Sequence, residues 1–148
     1  MTRRITFKGI LNIGEEQRIK LATIRGKIGY RITKFQTIAK NAGANDSVSL
    51  VTIYKTKGLA PGLTNTDLSN SNILATAYKK NQNGSTEPDS ETIISDLELF
   101  NQDIFITAGS PDGDTQPVSY YVELESMVLS DVEATQLTLK NIRTITAD

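Results

Sequence analysis

Apolar and polar residues alternate most regularly between Val118 and Leu129. Every second residue from Val118 to Leu124 is apolar or aromatic, and the residues between them are serine, tyrosine or glutamate. Side chains two positions apart lie on the same face of a strand, so this pattern predicts a strand with one buried face and one wet face. A single strand cannot bury its apolar face alone, so other strands must cover it.

Shorter stretches with the same two-residue period come earlier in the chain. They predict strands at about residues 4–11, 19–21, 28–35, 48–55, 73–80, 92–94 and 103–107. The third strand continues past Phe35 with a change of face, which a β-bulge near Lys34 would explain. Residues 48–55 carry apolar groups on both faces, which indicates a central strand. Residues 73–80 also allow a short helix capped at Ser71, but we expect a strand.

The pattern changes after Leu129. Ser130 and Glu133 have the spacing of a capping box, in which each side chain bonds the other residue's backbone at the start of a helix. Apolar residues then recur at helical spacing, so we expect a helix from about residue 131 to 143. A strand over residues 137–145 is the alternative, because threonine-rich sequence favours strands.

About eight strands joined by loops rich in Gly, Asn and Asp indicate a mainly β fold: an antiparallel β-sandwich, with the jelly roll as one form of it, and a short C-terminal helix. A chain of 148 residues, 38% of them hydrophobic, fits a single domain over residues 1–148 with one core. Polar segments at residues 56–72 and 81–91 interrupt the strands. The first is longer than about 12 to 15 residues, a length at which a loop is usually functional or partly structured, so we mark residues 56–72 as a candidate contact surface.

The chain contains no histidine and no cysteine. Histidine is the usual general base near neutral pH and a common metal ligand, while cysteine supplies thiolate nucleophiles and zinc sites. We therefore predict a protein that is not an enzyme and uses no cofactor or metal. No apolar run approaches the roughly 20 residues that cross a bilayer, and the N-terminal residues lack a signal peptide's apolar segment. We expect synthesis in a cytoplasm and no membrane partner.

Charge is distributed unevenly along the chain. Residues 1–40 contain ten basic and two acidic residues, whereas residues 81–148 contain two basic and thirteen acidic residues. Such asymmetry indicates charged partners or complementary contacts between copies, or pairing of basic with acidic strands inside one molecule. The candidate interaction residues are Arg3, Arg4, Arg18, Lys20, Arg25, Arg31, Glu123 and Glu125. We do not expect direct nucleic-acid binding, because the basic residues are not interleaved with an aromatic row and form no reader motif.

Two further hypotheses concern ligands. Alternate residues on one strand face are about 7 Å apart, so Glu123 and Glu125 have a spacing that a glycosidase could use on polysaccharide. Any exposed strand with alternate glutamates has this spacing, so we interpret them as a solvated pair. A receptor- or glycan-binding module could instead use the long loops, with Tyr54, Tyr78 or Tyr121 as stacking surfaces.

Three stretches of the sequence resemble small structural proteins of aquatic bacteriophages. They are the opening Arg-Ile-Thr-Phe-Lys-Gly, the segment Phe-Asn-Gln-Asp-Ile-Phe-Ile that starts at Phe100, and residues 118–146, which include Tyr-Tyr-Val-Glu-Leu-Glu. The resemblance implies a minor or decorating capsid protein with a sandwich fold, present in many copies, whose partners are other copies and other virion proteins. It assigns no site residue. Our expectation is a non-enzymatic virion structural protein made in the host cytoplasm, with a receptor- or glycan-binding module of a phage spike or fibre as the alternative.

Overall fold

The computed structural model describes residues 2–21, 27–40, 47–55, 66–81, 89–110 and 116–147. Within these residues the chain forms eight strands and one helix, in the order β1 (Thr2–Leu11), β2 (Glu16–Ile19), β3 (Ile28–Ala39), β4 (Ser47–Tyr54), β5 (Ile73–Asn81), β6 (Asp89–Ile94), β7 (Ile104–Gly109), β8 (Val118–Val128) and α1 (Asp131–Ala147). The prediction of a mainly β chain with a C-terminal helix is confirmed, and residues 73–81 form a strand rather than a helix.

Some predicted boundaries are wrong. β2 begins at Glu16 rather than residue 19 and ends at Ile19 rather than Leu21, because its backbone pairs with β7 over the four residues from Glu16 to Ile19. β6 begins at Asp89 rather than Thr92, because its polar first half continues the ladder with β5. The helix continues beyond the predicted residue 143. At the starts of β2 and β6, backbone pairing includes residues that hydropathy alone assigns to loops.

The strands form two antiparallel sheets that pack as a β-sandwich. The small sheet has the order β1-β8-β3 and the large sheet has the order β2-β7-β4-β5-β6. The most regular strand of the sequence, β8, is the centre of the small sheet, and β4 is the centre of the large sheet, as predicted. The predicted bulge is confirmed, because the β3–β8 register shifts between Ile32 and Lys34.

The chain is wound from its ends inward. β1 pairs with β8, β2 with β7, and β4 with β5, while β3 lies next to β6 across the sandwich without pairing. One long hairpin with its turn between β4 and β5 would give these pairs when rolled up. The sheets contain three and five strands because β6 pairs with β5 instead of β3.

The core lies between the sheets and is closed at one end. Buried apolar side chains fill it, among them Leu11, Ile32, Phe35, Val51, Ile53, Ile104, Ile106, Val122 and Leu124. At the end where β3 begins, Tyr30 and Phe100 exchange backbone hydrogen bonds of 2.8 and 2.9 Å, and their stacked rings have centroids 6.2 Å apart. We call this the closed end of the sandwich.

Helix α1 is fixed at both its start and its middle. The capping box is confirmed: the Ser130 N–H donates to Glu133 Oε1 at 3.3 Å, and the Glu133 N–H donates to Ser130 Oγ at 3.2 Å. Further along, the buried Asn101 donates from Nδ2 to Thr138 Oγ1 at 3.0 Å. These contacts hold the helix against the segment that joins β6 to β7, at the closed end. Among the described residues, no helix combines the length and hydrophobicity that a membrane crossing requires.

Candidate functional site: a charged sheet face and a polar cleft

The outer face of the small sheet brings charged residues from its three strands together. Cross-strand registry places Glu125 between Arg4 and Arg31, and places Lys34 opposite Glu123. We call this surface the charged face; it consists of Arg4, Thr6, Lys8 and Ile10 of β1, Ser119, Tyr121, Glu123 and Glu125 of β8, and Arg31, Lys34, Gln36 and Ile38 of β3. Four positive and two negative side chains share it, so it has an excess of positive charge although the whole chain has a net charge of −1.

Both glutamates of the charged face have side-chain partners. Arg31 Nη2 lies 3.0 Å from Glu125 Oε2, and the Tyr121 hydroxyl donates to Glu123 Oε1 at 2.7 Å. This hydrogen bond raises the pKa of Tyr121, because the bond to the carboxylate favours the protonated phenol. Among the described residues no carboxylate forms an ion pair with Arg4, Lys8 or Lys34. These three cations are therefore available to an acidic partner.

Four of the eight candidate interaction residues lie on the charged face: Arg4, Arg31, Glu123 and Glu125. Arg3 is on the same strand but lies opposite Ser126, on the other side of the sheet. Arg18 and the exposed Lys20 belong to the edge of the large sheet. Arg25 lies outside the described residues. The structure thus divides the predicted set into one cluster and several separate residues.

Intramolecular pairing accounts for part of the charge asymmetry. Ion pairs join Arg18 to Asp103, Lys27 to Asp131 and Arg31 to Glu125. Each joins a cation of the first forty residues to a carboxylate of the acidic C-terminal region. Pairing within the molecule and a residual positive face therefore occur together.

The proposal of Tyr54 as a stacking surface is wrong. Its side chain is fully buried, its ring stacks on Phe105 with centroids 6.2 Å apart, and its hydroxyl donates to Glu16 Oε2 at 2.5 Å. Burial and the nearby carboxylate raise the pKa of Tyr54. The reason is the central position of β4, whose two faces are both covered. Of the other candidates, Tyr78 is partly buried on the large sheet and Tyr121 bonds Glu123.

A second candidate site is a cavity of about 870 Å³ between the two sheets. It lies where β1 and β3 end, opposite the closed end, and we call it the polar cleft. Three strand segments of the small sheet, residues 8–10, 36–38 and 119–121, line one wall, and Lys79, Ser90 and Thr92 of the large sheet line the other. The wall residues come from five strands, so the cleft is part of the sandwich framework.

The cleft exists because the inward rows of four strands change from apolar to polar at the same level. The changes are Phe35 to Thr37 in β3, Val51 to Ser49 in β4, Ala77 to Lys79 in β5, and Ile94 to Thr92 and Ser90 in β6. In the large sheet the register places Ser49 beside Lys79, and Lys79 beside Ser90. Polar side chains cannot fill the core as Ile and Val do, so the two sheets leave a cleft here that is open to solvent.

Two groups that line the polar cleft have no partner among the described residues. Thr37 is only 3% exposed, and its hydroxyl makes no hydrogen bond with any residue that the structure describes. The ammonium group of the partly buried Lys79 forms no ion pair or hydrogen bond with any residue that the structure describes. Buried polar groups normally have hydrogen-bond partners. The Thr37 hydroxyl and the Lys79 ammonium group are therefore both candidates for contact with a ligand.

The small-sheet wall of the polar cleft includes Gly9 and Tyr120. The two residues are cross-strand partners, and a Cβ atom on Gly9 would lie 2.8 Å from the Tyr120 hydroxyl oxygen. Glycine therefore allows the ring to lie across β1. The hydroxyl donates to Gln17 Oε1 at 3.1 Å, and burial together with the negative charge of Glu15 raises the pKa of Tyr120.

Sequence reasoning missed the residues of this cleft. A threonine, a serine or a lysine within a strand is unremarkable on its own, and only the strand register shows that these residues face one space. The sequence signal for the cleft is the change from apolar to polar residues at one end of each inward row. It identifies a common site only when the register of the four strands is known.

The closed end contains a different charged cluster. The Lys55 side chain is 1% exposed, and its Nζ lies 2.7 Å from Glu98 Oε1, which Lys140 Nζ of helix α1 also approaches at 3.1 Å. Burial alone would raise the pKa of Glu98, but the two ammonium groups hold it below its usual value. Every charge in this cluster is paired, and the pair between Glu98 and Lys140 joins helix α1 to the sandwich. We therefore interpret the cluster as a structural contact. A metal site needs several suitable ligands, and the described residues contain no group of three acidic, His or Cys side chains placed to bind an ion.

Comparison with known proteins adds no family assignment: no protein-family model matches this chain, and no curated protein matches it.

Proposed function

We propose that this chain is a non-enzymatic structural subunit of a virion, a minor or decorating capsid protein that assembles by contacts between subunits. The charged face is the observation that carries the proposal. It is the outer side of a three-stranded sheet, and it carries three cations that pair with no carboxylate in the described part of the chain. It ends in two exposed apolar residues, Ile10 and Ile38, which are 42% and 54% exposed. A surface of this kind suits a partner with acidic and apolar groups.

The winding of the chain supports the same proposal. A hairpin rolled from its ends inward is the principle of the jelly roll, an architecture found in viral capsid proteins and in lectins. We interpret this sandwich as a jelly-roll variant in which the sixth strand has joined the other sheet. Because a fold does not fix a function, the charged face and the resemblance to phage structural proteins remain the main support.

Other parts of the molecule offer complementary charge. Exposed carboxylates occur on β6, in the segment after it and in the first turn of helix α1: Glu91, Asp96, Asp131 and Glu133. A positive face on one copy could contact such a surface on the next, which is a head-to-tail contact of the kind that builds rings or open filaments. Exposed charges are screened over about 8 Å at physiological ionic strength, so this contact should weaken with salt.

Light scattering on the purified protein at low and high salt tests the proposal. We expect an oligomer at low salt that dissociates at high salt. Lys34→Glu reverses a charge on the charged face and should lower the mass at low salt. Lys20→Glu makes the same change at an exposed residue beside the large sheet and should leave the mass unchanged. A monomer at every salt concentration, or equal effects of the two variants, would contradict assembly through this face.

A second candidate function is a receptor- or glycan-binding module of a phage spike or fibre. The polar cleft favours it, because its volume of about 870 Å³ falls in the usual range of ligand sites, roughly 300 to 1,000 Å³. A glycan array tests this function directly. Binding of a defined set of glycans would support it, and the absence of any binding would remove it.

A further inference from the structure

We propose that the polar cleft binds an acidic saccharide, with Lys79 contacting its carboxylate and Thr37 and neighbouring hydroxyls contacting its ring hydroxyls. This inference rests on the second candidate function, glycan binding, and not on assembly, although Lys8, Gln36 and Tyr121 of the charged face also border the cleft. It specifies both the location of the site and the chemical class of the ligand.

The Thr37 hydroxyl supplies the first argument. It is buried on the inward row of β3, lines the cleft and has no hydrogen-bond partner. A buried hydroxyl without a partner destabilises the protein, and a valine of the same shape would avoid that cost. A polar ligand in the cleft would supply the missing hydrogen bond. Ligand binding therefore explains why position 37 is threonine and not valine.

Lys79 supplies the second argument, on ligand charge. It lies opposite Ser90 on β6 and beside Ser49 on β4, so hydroxyl groups surround it. No described carboxylate pairs with it. An ammonium group in a partly enclosed site forms its strongest hydrogen bonds with an anion. A ligand with one negative charge therefore matches the cleft better than a neutral ligand.

The remaining wall residues favour a sugar over a simple anion. Ser90 and Thr92 add hydroxyls on the large-sheet wall, and hydroxyls both donate and accept hydrogen bonds, as sugar hydroxyls do. Tyr120 lines the small-sheet wall, with its own hydroxyl engaged by Gln17. Walls that carry several hydroxyls fit a ring that carries several hydroxyls, and the cavity has room for more than one sugar unit.

Titration calorimetry with D-glucuronate, D-glucose and acetate tests the ligand class. Glucuronate combines sugar hydroxyls with a carboxylate, and the other two probes each retain only one of these features. We expect glucuronate to bind at least about tenfold more tightly than either, because its two sets of hydrogen bonds act together. Glucose binding as tightly would overturn the acidic class, and acetate binding as tightly would overturn the saccharide.

Two substitutions test the location of the site. Lys79→Met keeps the length of the side chain and should weaken glucuronate binding about tenfold, because it removes a charged hydrogen bond. The matched control, Lys80→Met, changes the next residue of β5, which points to the other face of the sheet, and should leave binding unchanged.

Thr37→Val gives the sharpest test, because it should have two opposite effects. Removing an unsatisfied hydroxyl should raise Tm by about 2–4 °C, and the loss of a ligand hydrogen bond should weaken glucuronate binding about fivefold. Thr52→Val is the control: Thr52 also has a buried hydroxyl without a partner, but it does not line the cleft. It should raise Tm similarly and leave binding unchanged.

The outcomes separate the site from the function. If glucuronate binds and neither Thr37→Val nor Lys79→Met weakens it, the cleft is not the site, although glycan binding stands. A lower Tm for Thr37→Val would show that the hydroxyl serves the fold, and would also overturn the inference. If glucuronate does not bind but a glycan array gives neutral glycans, the ligand class is wrong and the function survives.

Discussion

Lysines at the two ends of the sandwich have contrasting surroundings. At the closed end, where the rings of Tyr30 and Phe100 stack, Lys55 is almost completely buried and lies 2.7 Å from Glu98. At the other end Lys79 lines an open cavity and pairs with no described residue. The ammonium group of Lys55 is paired with a carboxylate inside the molecule, whereas that of Lys79 is available to a ligand.

This difference shows how stability and binding divide between the two ends. A buried charge is tolerated only when it is paired and hydrogen-bonded, and the closed end meets that condition. In the polar cleft, the Thr37 hydroxyl has no hydrogen-bond partner and the Lys79 ammonium group has no counter-ion among the described residues. Neither group stabilises the folded state through such a contact. Substitutions should therefore lower stability strongly at the closed end and weakly at the cleft.

The largest expected effect is at Phe100. Phe100→Ala removes a fully buried ring that stacks on Tyr30, and we expect the free energy of unfolding to fall by about 3–5 kcal/mol. Urea denaturation followed by circular dichroism measures it. A loss below about 1 kcal/mol would show that the closed end is not the main source of stability.

Glu98 should come next. Glu98→Leu leaves Lys55 buried without a counter-ion, and we expect a loss of about 3 kcal/mol, near the lower end of the usual range because Glu98 is partly exposed. Adding Lys55→Met should restore most of that loss, since a buried pair can often be replaced by apolar residues. A double variant as unstable as Glu98→Leu alone would contradict this account.

The contribution of Glu98 should also depend on pH. Its pKa is lowered in the folded state, so the stability it provides is fully present above its unfolded pKa of about 4.3 and is lost as pH falls through the folded value. The difference in unfolding free energy between wild type and Glu98→Leu should therefore be constant near neutral pH and shrink in acid. A difference that grows in acid would contradict the pairing.

Gly9→Ala should have an intermediate effect, at the polar cleft. The added methyl group would meet the Tyr120 hydroxyl at 2.8 Å, so the ring must move and weaken its bond to Gln17. We expect a loss of about 1–2 kcal/mol in urea denaturation. In a Tyr120→Phe background the same substitution should cost less, and equal costs in the two backgrounds would place the strain elsewhere.

Lys79→Met should change stability least. No described contact is lost, so the free energy of unfolding should stay within about 0.5 kcal/mol of wild type. Lys55→Met, which breaks the bond to Glu98, should cost about 2 kcal/mol. Similar losses for the two lysines, measured side by side in urea, would remove the contrast between the ends.

Local signals explain what the sequence could predict. The bulge near Lys34 follows from a change of face within one strand, and the helix start follows from Ser130 and Glu133, three residues apart. Both depend on neighbours along the chain. The apolar groups on both faces of residues 48–55 also indicate that Tyr54 is buried, so the expectation of an exposed ring there conflicts with a signal that the sequence contains.

Long-range register explains what the sequence could not predict. Lys55 and Glu98 meet only because β4 ends beside the segment that follows β6. The polar cleft needs the alignment of four strands before Thr37 and Lys79 face the same space. Neither arrangement follows from any stretch that hydropathy can evaluate alone.

The pairing of the first strand with the last also sets the order of events when the protein is made. Thr2 pairs with Met127 and Leu11 with Val118, so β1 leaves the ribosome long before β8 can pair with it. The small sheet, with the charged face outside and the cleft wall inside, can form only after β8 is synthesised. Long-range β pairing of this kind folds slowly, over milliseconds to seconds. During synthesis, the arginines and lysine of β1 also discourage that waiting strand from pairing with other chains.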